Sequence, residues 1–164
     1  FITPAYVAKI RKETESRKDA YSFDELIGEI PKALTFQDNW KATASSTALQ
    51  GVGSSKDPGY AFSYKGWKTE TSQAPGMWFL VQLPSPQAIS EVQFDAGKEG
   101  FPLEYTVSLS IDGKSWTKVA QGKGNPGVNL LSWTGTGKFT YLKMESQSKG
   151  EQLWSMKKLT LYSR

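Results

Sequence analysis

Residues 103–111 read LEYTVSLSI and alternate without a break. Leu103, Tyr105, Val107, Leu109 and Ile111 fall on one side of an extended chain, and Glu104, Thr106, Ser108 and Ser110 on the other. A helix of period 3.6 cannot gather that apolar set on one face, so the stretch predicts a half-buried β-strand. Asp112-Gly113 follows, and Trp116 opens another run. Asp-Gly between two such runs is a hairpin signal, because both residues tolerate the backbone of a tight turn.

The same texture extends over most of the chain. From Phe36 onward, short alternating stretches are separated by clusters of Gly, Pro, Asp and Ser. Strands are expected at 41–46, 78–83, 89–95, 103–111, 116–121, 128–133, 139–146 and 153–162. About eight short strands in such a length indicate an all-β sandwich or barrel. Residues 1–33 read differently. Thr3-Pro4 makes an N-cap and first-turn pair, and Tyr6, Val7 and Ile10 share a helical face. Ser22 to Glu25 has the S-x-x-E capping pattern, which starts a second helix through about Ile30, and Pro31 stops it. Residues 1–36 are therefore expected to be a helical lead-in or a linker from an upstream domain, and residues 37–164 the β domain. The chain opens FITPAYV and reads as a mature or excised part of something longer.

Composition narrows the chemistry. The 164 residues suffice to bury a core without covalent staples, and an aromatic content of 13% supplies large buried area. There is no cysteine, which removes disulfides, thiol nucleophiles and thiolate metal sites. There is no histidine, which removes the commonest general base and transition-metal ligand. Ser-His-Asp hydrolysis and zinc hydrolysis are excluded on that ground. No apolar run is long enough to cross a bilayer. The net charge of +4 is compatible either with attraction to anionic polymers or with an ordinary soluble surface.

Several stretches resemble one known family. They are ATASST (42–47), APGMWFLVQL (74–83), QAISEVQF (87–94), YTVSLSIDGKSW (105–116), KFTYLKMES (138–146) and WSMKKLTLY (154–162). In order and spacing they are similar to the strands and the Ser-x-Asp-Gly-x-x-Trp hairpin of the F5/8 type C, or discoidin-like, domain. Bacterial members are often classed with the family 32 carbohydrate-binding modules. The resemblance covers about residues 37–163. It implies an eight-stranded antiparallel jelly-roll β-sandwich, here with a short helical N-terminal extension. Both chain ends would lie at one pole and ligand-binding loops at the other. Following strand direction, the loops at 47–58, 96–102, 121–127 and 146–153 lie at the far pole and the Asp112-Gly113 turn at the near one.

The departures from the family are as informative. Its members usually carry an Asp-Gly-Asp-x-x-Thr-x-Trp stretch that holds a calcium ion, completed by a Glu in the last strand. Here the matching stretch is AFSYKGWKT, with Ser63 at the first Asp position and Lys158 at the Glu position. Calcium takes six or more oxygens, several of them anionic. No cofactor is therefore expected. Either the Lys158 ammonium fills the vacated place and donates to Ser63 and loop carbonyls, or it points into solvent. Thr140 and Lys143 also replace two strand arginines of the family. Phe62 and Trp67 match family core positions.

A sugar offers an apolar C–H face and a rim of hydroxyls, so its site needs an aromatic plate and polar side chains at the edge. Family members that bind galactose-type sugars often use His, Arg, Asn and an aromatic residue. This chain has no His, and its far loops carry no Arg. Those loops do offer Lys98, Glu99, Phe101, Lys123, Asn125, Lys149, Gln152 and Trp154, with Tyr64 and Lys65 contributing from the AFSYKGWKT stretch. Each has a plainer reading: Phe101 and Trp154 as core, the lysines as a solvated face, Asn125 before Pro126 as a turn residue. Clustered lysines would suit an anionic glycan.

Two functions stay open from the residues. One is a non-catalytic carbohydrate-binding module of a larger exported bacterial protein, secreted, periplasmic or at the cell surface. It would bind a polysaccharide or oligosaccharide and neighbour other domains of its own polypeptide. The other is an interaction or structural module with no sugar ligand. Membrane binding needs apolar spikes that TALQGVGSSKDP (47–58) lacks, and nucleic-acid binding has only mild basic charge behind it. Neither partner is expected. The carboxylates Asp95, Glu99, Glu104, Glu145 and Glu151 show no facing pair of the kind a glycosidase needs, so no enzyme is expected.

Overall fold

In the computed structural model the structure describes residues 5, 32–34, 39–48, 57–135 and 137–163. They form two packed antiparallel sheets. Among these residues the strands are β1 (Lys32–Ala33), β2 (Lys41–Ala44), β3 (Trp67–Lys68), β4 (Trp78–Gln87), β5 (Ile89–Asp95), β6 (Glu104–Ser110), β7 (Thr117–Lys123), β8 (Val128–Ser132), β9 (Phe139–Ser146) and β10 (Ser155–Ser163). One sheet runs β1-β10-β5-β8 with β3 also on β10, and the other β2-β4-β9-β6-β7. All eight expected strands are present, joined by two short ones and a 3-10 turn at Pro58–Phe62. The expected helices of the lead-in lie outside the described residues. The domain boundary moves, however. Lys32 pairs with Ser163, the Leu34 N–H donates to the Leu161 carbonyl at 2.8 Å, and Leu34 packs on the core, so residues 32–34 belong to the sandwich.

The core is the sum of the inward positions of each strand. Phe79, Val81 and Leu83 of β4, Val92 and Phe94 of β5, Tyr105, Val107 and Leu109 of β6, Leu142 and Met144 of β9, and Met156, Leu159 and Leu161 of β10 are all buried between the sheets. Each such side chain contributes about 1.5–3 kcal/mol over leaving it in water. Trp67 sits edge-on to both Phe79 and Trp154, with ring centroids at 4.9 and 5.3 Å. Phe62 is half-buried against the core and edge-on to Trp40 at 5.6 Å.

The sequence signal of residues 103–111 holds in the middle and fails at both ends. β6 spans Glu104–Ser110, and Ile111 is 69% exposed rather than inward. The strand stops because the turn captures its end. The Asp112 carboxylate accepts from Lys114 N–H (2.8 Å), Ser115 N–H (2.9 Å) and the Ser110 hydroxyl (3.1 Å). Gly113 takes φ +77° and lies flat on the Tyr141 ring, where a side chain would be both strained and crowded. The Asp-Gly signal thus marks a longer connection, residues 111–116, not a two-residue hairpin.

Strand pairing fixes the poles. Lys32 with Ser163 and Ser163 with Ile89 place the chain entry and exit together, on the side of the 111–116 turn. Asp95 with Lys157 and Asp95 with Val128 put loops 96–103, 124–127 and 147–154 at the opposite pole.

Candidate functional site

Three loops at that far pole are sewn together by one buried amide. Gln73 is 1% exposed. Its Nε2 donates to the Phe101 carbonyl (2.6 Å), and its Oε1 accepts from Leu103 N–H (3.1 Å). Its backbone N–H donates to the Gln152 carbonyl (3.0 Å), and its carbonyl accepts from Gly150 N–H (3.1 Å). The Gln152 side chain closes the set with a second bond to the Phe101 carbonyl (2.8 Å). A buried carboxamide with all its groups paired holds loops rigidly, since breaking any bond strands a desolvated partner.

A second buried amide does the same for loop 124–127. Asn129 accepts from Asn125 N–H (2.7 Å) and donates to the Asn125 and Gly127 carbonyls (2.9 and 3.1 Å). Gly124 N–H donates to the Pro102 carbonyl (2.9 Å) and Gly127 N–H to the Gly97 carbonyl (2.8 Å), tying this loop to 96–103. Ser155 finishes the frame. Its N–H donates to the Gly100 carbonyl (2.8 Å) and its hydroxyl to the Ala96 carbonyl (3.1 Å).

On this frame Lys98, Glu99, Asn125 and Lys149 are exposed, and Lys123 is exposed at the end of β7. Phe101 is half-buried and leans on the core, so only part of its ring is open to solvent. Gln152 is half-buried with its amide nitrogen committed to the frame. Trp154, expected among the ligand contacts, is a correction. It is 0% exposed, packed on Trp67, and belongs to the core. The period-2 pattern of the last strand continues inward one residue before the strand begins, and Trp154 falls on that inward side.

Tyr64 and Lys65 follow the 3-10 turn beside the start of β10, and Lys65 shares a cleft with Gly97 of the 96–103 loop. Tyr64 is 74% exposed and Tyr60 39%, the largest aromatic exposures among the described residues. The Lys65 ammonium lies 5.7 Å from the Tyr60 ring centroid.

Tyr64 and Lys65 lie within the stretch that resembles the family's metal loop. Ser63 and Lys158 are neighbours, but through backbone: the Lys158 N–H donates to the Ser63 carbonyl at 2.8 Å. The Lys158 side chain is exposed, and among the described residues its ammonium makes no bond, so it does not fill the vacated place. Lys158 has φ +54° and sits where the pairing of β10 with β5 slips, between Lys157 and Thr160. That bulge turns Lys158 outward and returns Leu159 to the core. The Ser63 hydroxyl donates to the Tyr60 carbonyl (2.8 Å) and accepts from Lys65 N–H (3.2 Å). Among the described residues there is no group of three or more carboxylates or other ligands that could hold a metal.

Sequence reasoning missed Gln73, Asn129 and Ser155. They lie in polar or edge stretches that read as loop or surface, and nothing local distinguishes a buried amide from a solvated one.

The chain was compared with known proteins. The F5/8 type C domain profile matches residues 39–158. No curated protein sequence matches. Among solved structures, the family 32 carbohydrate-binding module of Clostridium perfringens NanJ in complex with galactose is 23% identical, with a TM-score of 0.63 over 82% of this chain and 100% of that one. A Clostridium perfringens module in complex with GalNAc-beta-1,3-galactose is 21% identical, with a TM-score of 0.67 over 79% and 99%. Chitosan-binding module 1 of a Paenibacillus sp. IK-5 chitosanase/glucanase is 24% identical, with a TM-score of 0.59 over 76% and 96%. At these identities the likeness is one of fold.

Proposed function

The chain belongs to the F5/8 type C domain family, and from that premise we propose that it is a non-catalytic carbohydrate-binding module of a larger exported bacterial protein. The glycan binds on the far-pole loops. The observation that carries the reading is the Gln73 frame, which spends buried hydrogen bonds on fixing three loops whose exposed tips are polar. Rigid loops bind weak, hydroxyl-rich ligands without losing conformational freedom on contact. Lys98, Lys149 and Asn125 supply donors, Glu99 supplies acceptors, and the open part of the Phe101 ring supplies the apolar contact. Supporting this reading, structural neighbours carry galactose, GalNAc-beta-1,3-galactose and the chitosan-binding designation. Such a module acts by holding its attached domains near a polysaccharide, which raises their local concentration without chemistry of its own. The reading places the protein outside the cytoplasm, secreted, periplasmic or at the cell surface.

One observation favours the interaction reading. Val128 and Leu130 stand 60% and 53% exposed on strand β8, which among the described residues pairs only with β5. An uncharged apolar edge suits packing against a neighbouring domain of the same polypeptide. Affinity electrophoresis in neutral and acidic polysaccharides separates the two. Retention that falls in Lys149→Ala and Asn125→Ala supports the far-pole site, and a chain retained by no polymer supports packing instead.

A further inference from the structure

A shallow cleft of about 200 Å³ runs between the loop of Tyr64 and Lys65 and the far end of β5, lined by Lys65, Lys68, Asp95, Gly97, Ser155 and Lys157 among others. Three of these six carry a positive charge and one a negative charge. Two features bring the lysines together. β3 pairs with the start of β10, Trp67 opposite Met156 and Lys68 opposite Ser155. Gly66, with φ +83°, lies so close on β10 that an added Cβ would stand 3.1 Å from both the Lys157 Cβ and the Met156 carbonyl. Only a glycine lets the loop press down there, and pressing down is what seats Lys65 beside Lys157.

The single carboxylate does not neutralise the cleft. Asp95 pairs in register with Lys157. One of its oxygens is already taken by the Gly97 N–H at 2.8 Å. Among the described residues neither Lys65 nor Lys157 is bridged to a carboxylate. Lys65 instead hangs beside the exposed Tyr60 ring, with the more exposed Tyr64 next to it in the chain. The Lys65 ammonium beside the Tyr60 ring, at the edge of the cleft that Lys157 also lines, matches a sugar ring that bears an acidic group: the ring face covers the tyrosine, and the acid meets the two ammonium groups.

We propose that this cleft, which borders the far-pole loops at Gly97 and Ser155, is a second glycan subsite, and that it takes an acidic sugar, either a uronate or a sulfated pyranose. The carboxylate or sulfate sits between Lys65 and Lys157, and the ring lies along Tyr60 and Tyr64. The cleft shares Gly97 and Ser155 with the far-pole frame but neither Gln73 nor Lys149, so substitutions at Lys65 and Lys157 test it without touching the far-pole contacts. Because the ammonium groups are in high dielectric, binding is modest and strongly salt-dependent.

The test is affinity electrophoresis of the whole chain in polygalacturonate, dextran sulfate and neutral dextran. The Lys65→Ala/Lys157→Ala double variant is compared with the native chain, with Tyr64→Ala, and with the far-pole variant Lys149→Ala. The expected result is a roughly fivefold loss of affinity for at least one acidic polymer in the double variant at low salt. That loss shrinks as salt is added, and neutral-polymer retention is unchanged. Polygalacturonate against dextran sulfate distinguishes the uronate from the sulfate. Equal retention of the native chain and the double variant on both acidic polymers overturns the proposal, as does a native chain that neither retains. Double-stranded DNA retained at matched charge while acidic glycans are not overturns the sugar assignment. A loss on neutral polymer confined to Lys149→Ala speaks only to the far-pole site.

Discussion

The side-chain nitrogen of Gln73 donates to the carbonyl of Phe101 at 2.6 Å, from a position almost wholly withdrawn from water. That bond decides what kind of surface the far pole is. Loops 69–77, 96–103 and 147–154 are tied to one another by an amide that spans them, in addition to the packing of Trp154, Phe101 and Met77 on the core.

Removing the amide tests its role directly. Gln73→Leu strands the Leu103 N–H, which among the described residues has no partner other than Gln73 Oε1, and forces an apolar side chain into a polar slot. One buried orphan costs about 1–3 kcal/mol. The variant melts roughly 4–8 °C below the native chain, a range set by a loss near 2 kcal/mol in a domain of this length. Differential scanning calorimetry reads this, and glycan retention falls with it. A variant that melts within a degree of the native chain contradicts the role given to Gln73.

Trp154 is core, and it carries the one buried side-chain polar atom without a partner among the described residues, its indole nitrogen. Trp154→Phe removes an unsatisfied donor while keeping most of the ring against Trp67. The relief offsets much of the lost packing, and the melting temperature moves by about 3 °C or less. Trp154→Ala leaves a cavity and costs about 3–5 kcal/mol, which lowers it by roughly 6–20 °C. Equal losses in the two variants would show that the indole nitrogen has a partner.

Much of the sandwich was legible because alternation is a backbone property: a period of two survives any tertiary context that buries one face. β5 and β9 fall on the expected bounds, 89–95 and 139–146. Ends were less legible, because turns recruit strand residues, as Ser110 and Asp112 do at the end of β6. The far pole was legible as a place and illegible as a mechanism. Lys98, Glu99, Asn125 and Lys149 are exposed there, but Gln73 and Asn129, which position them, act across 28 to 30 residues in one case and four in the other. Tyr64 and Lys65 follow the 3-10 turn, whose placement beside β10 depends on long-range pairing that no local pattern announces.

The Ser63 loop predicts a null response to metal removal. Lys158 bonds Ser63 through its backbone alone, and among the described residues there is no group of three or more His, Cys, Asp or Glu side chains that could hold a metal. Excess chelator leaves the melting temperature unchanged within a degree, and Lys158→Ala, which keeps the backbone bond, shifts it by about as little. A fall of several degrees with chelator, restored by calcium, contradicts the assignment.

Burial pushes the Tyr105 hydroxyl up from the usual 10.0 to about 12. The folded state therefore holds this proton more tightly than the unfolded chain does. Its contribution to stability is intact below pH 10 and is lost as the pH rises from 10 toward 12. Tyr105→Phe has no proton to lose, so its alkaline decline between those values is shallower than that of the native chain in pH-resolved denaturant melts. Parallel declines would assign the alkaline loss to other groups.

The most direct measurement is quantitative glycan binding by the intact chain, with the native protein beside Lys149→Ala, Asn125→Ala and Gln73→Leu in affinity gels of neutral and acidic polysaccharides. A chain that holds sugar on its far-pole loops is retarded by at least one polymer, and all three substitutions weaken that retardation, two by removing contacts and one by loosening the loops. Retardation that survives all three, or migration unaffected by every polymer, would mean that the far pole does not bind glycan.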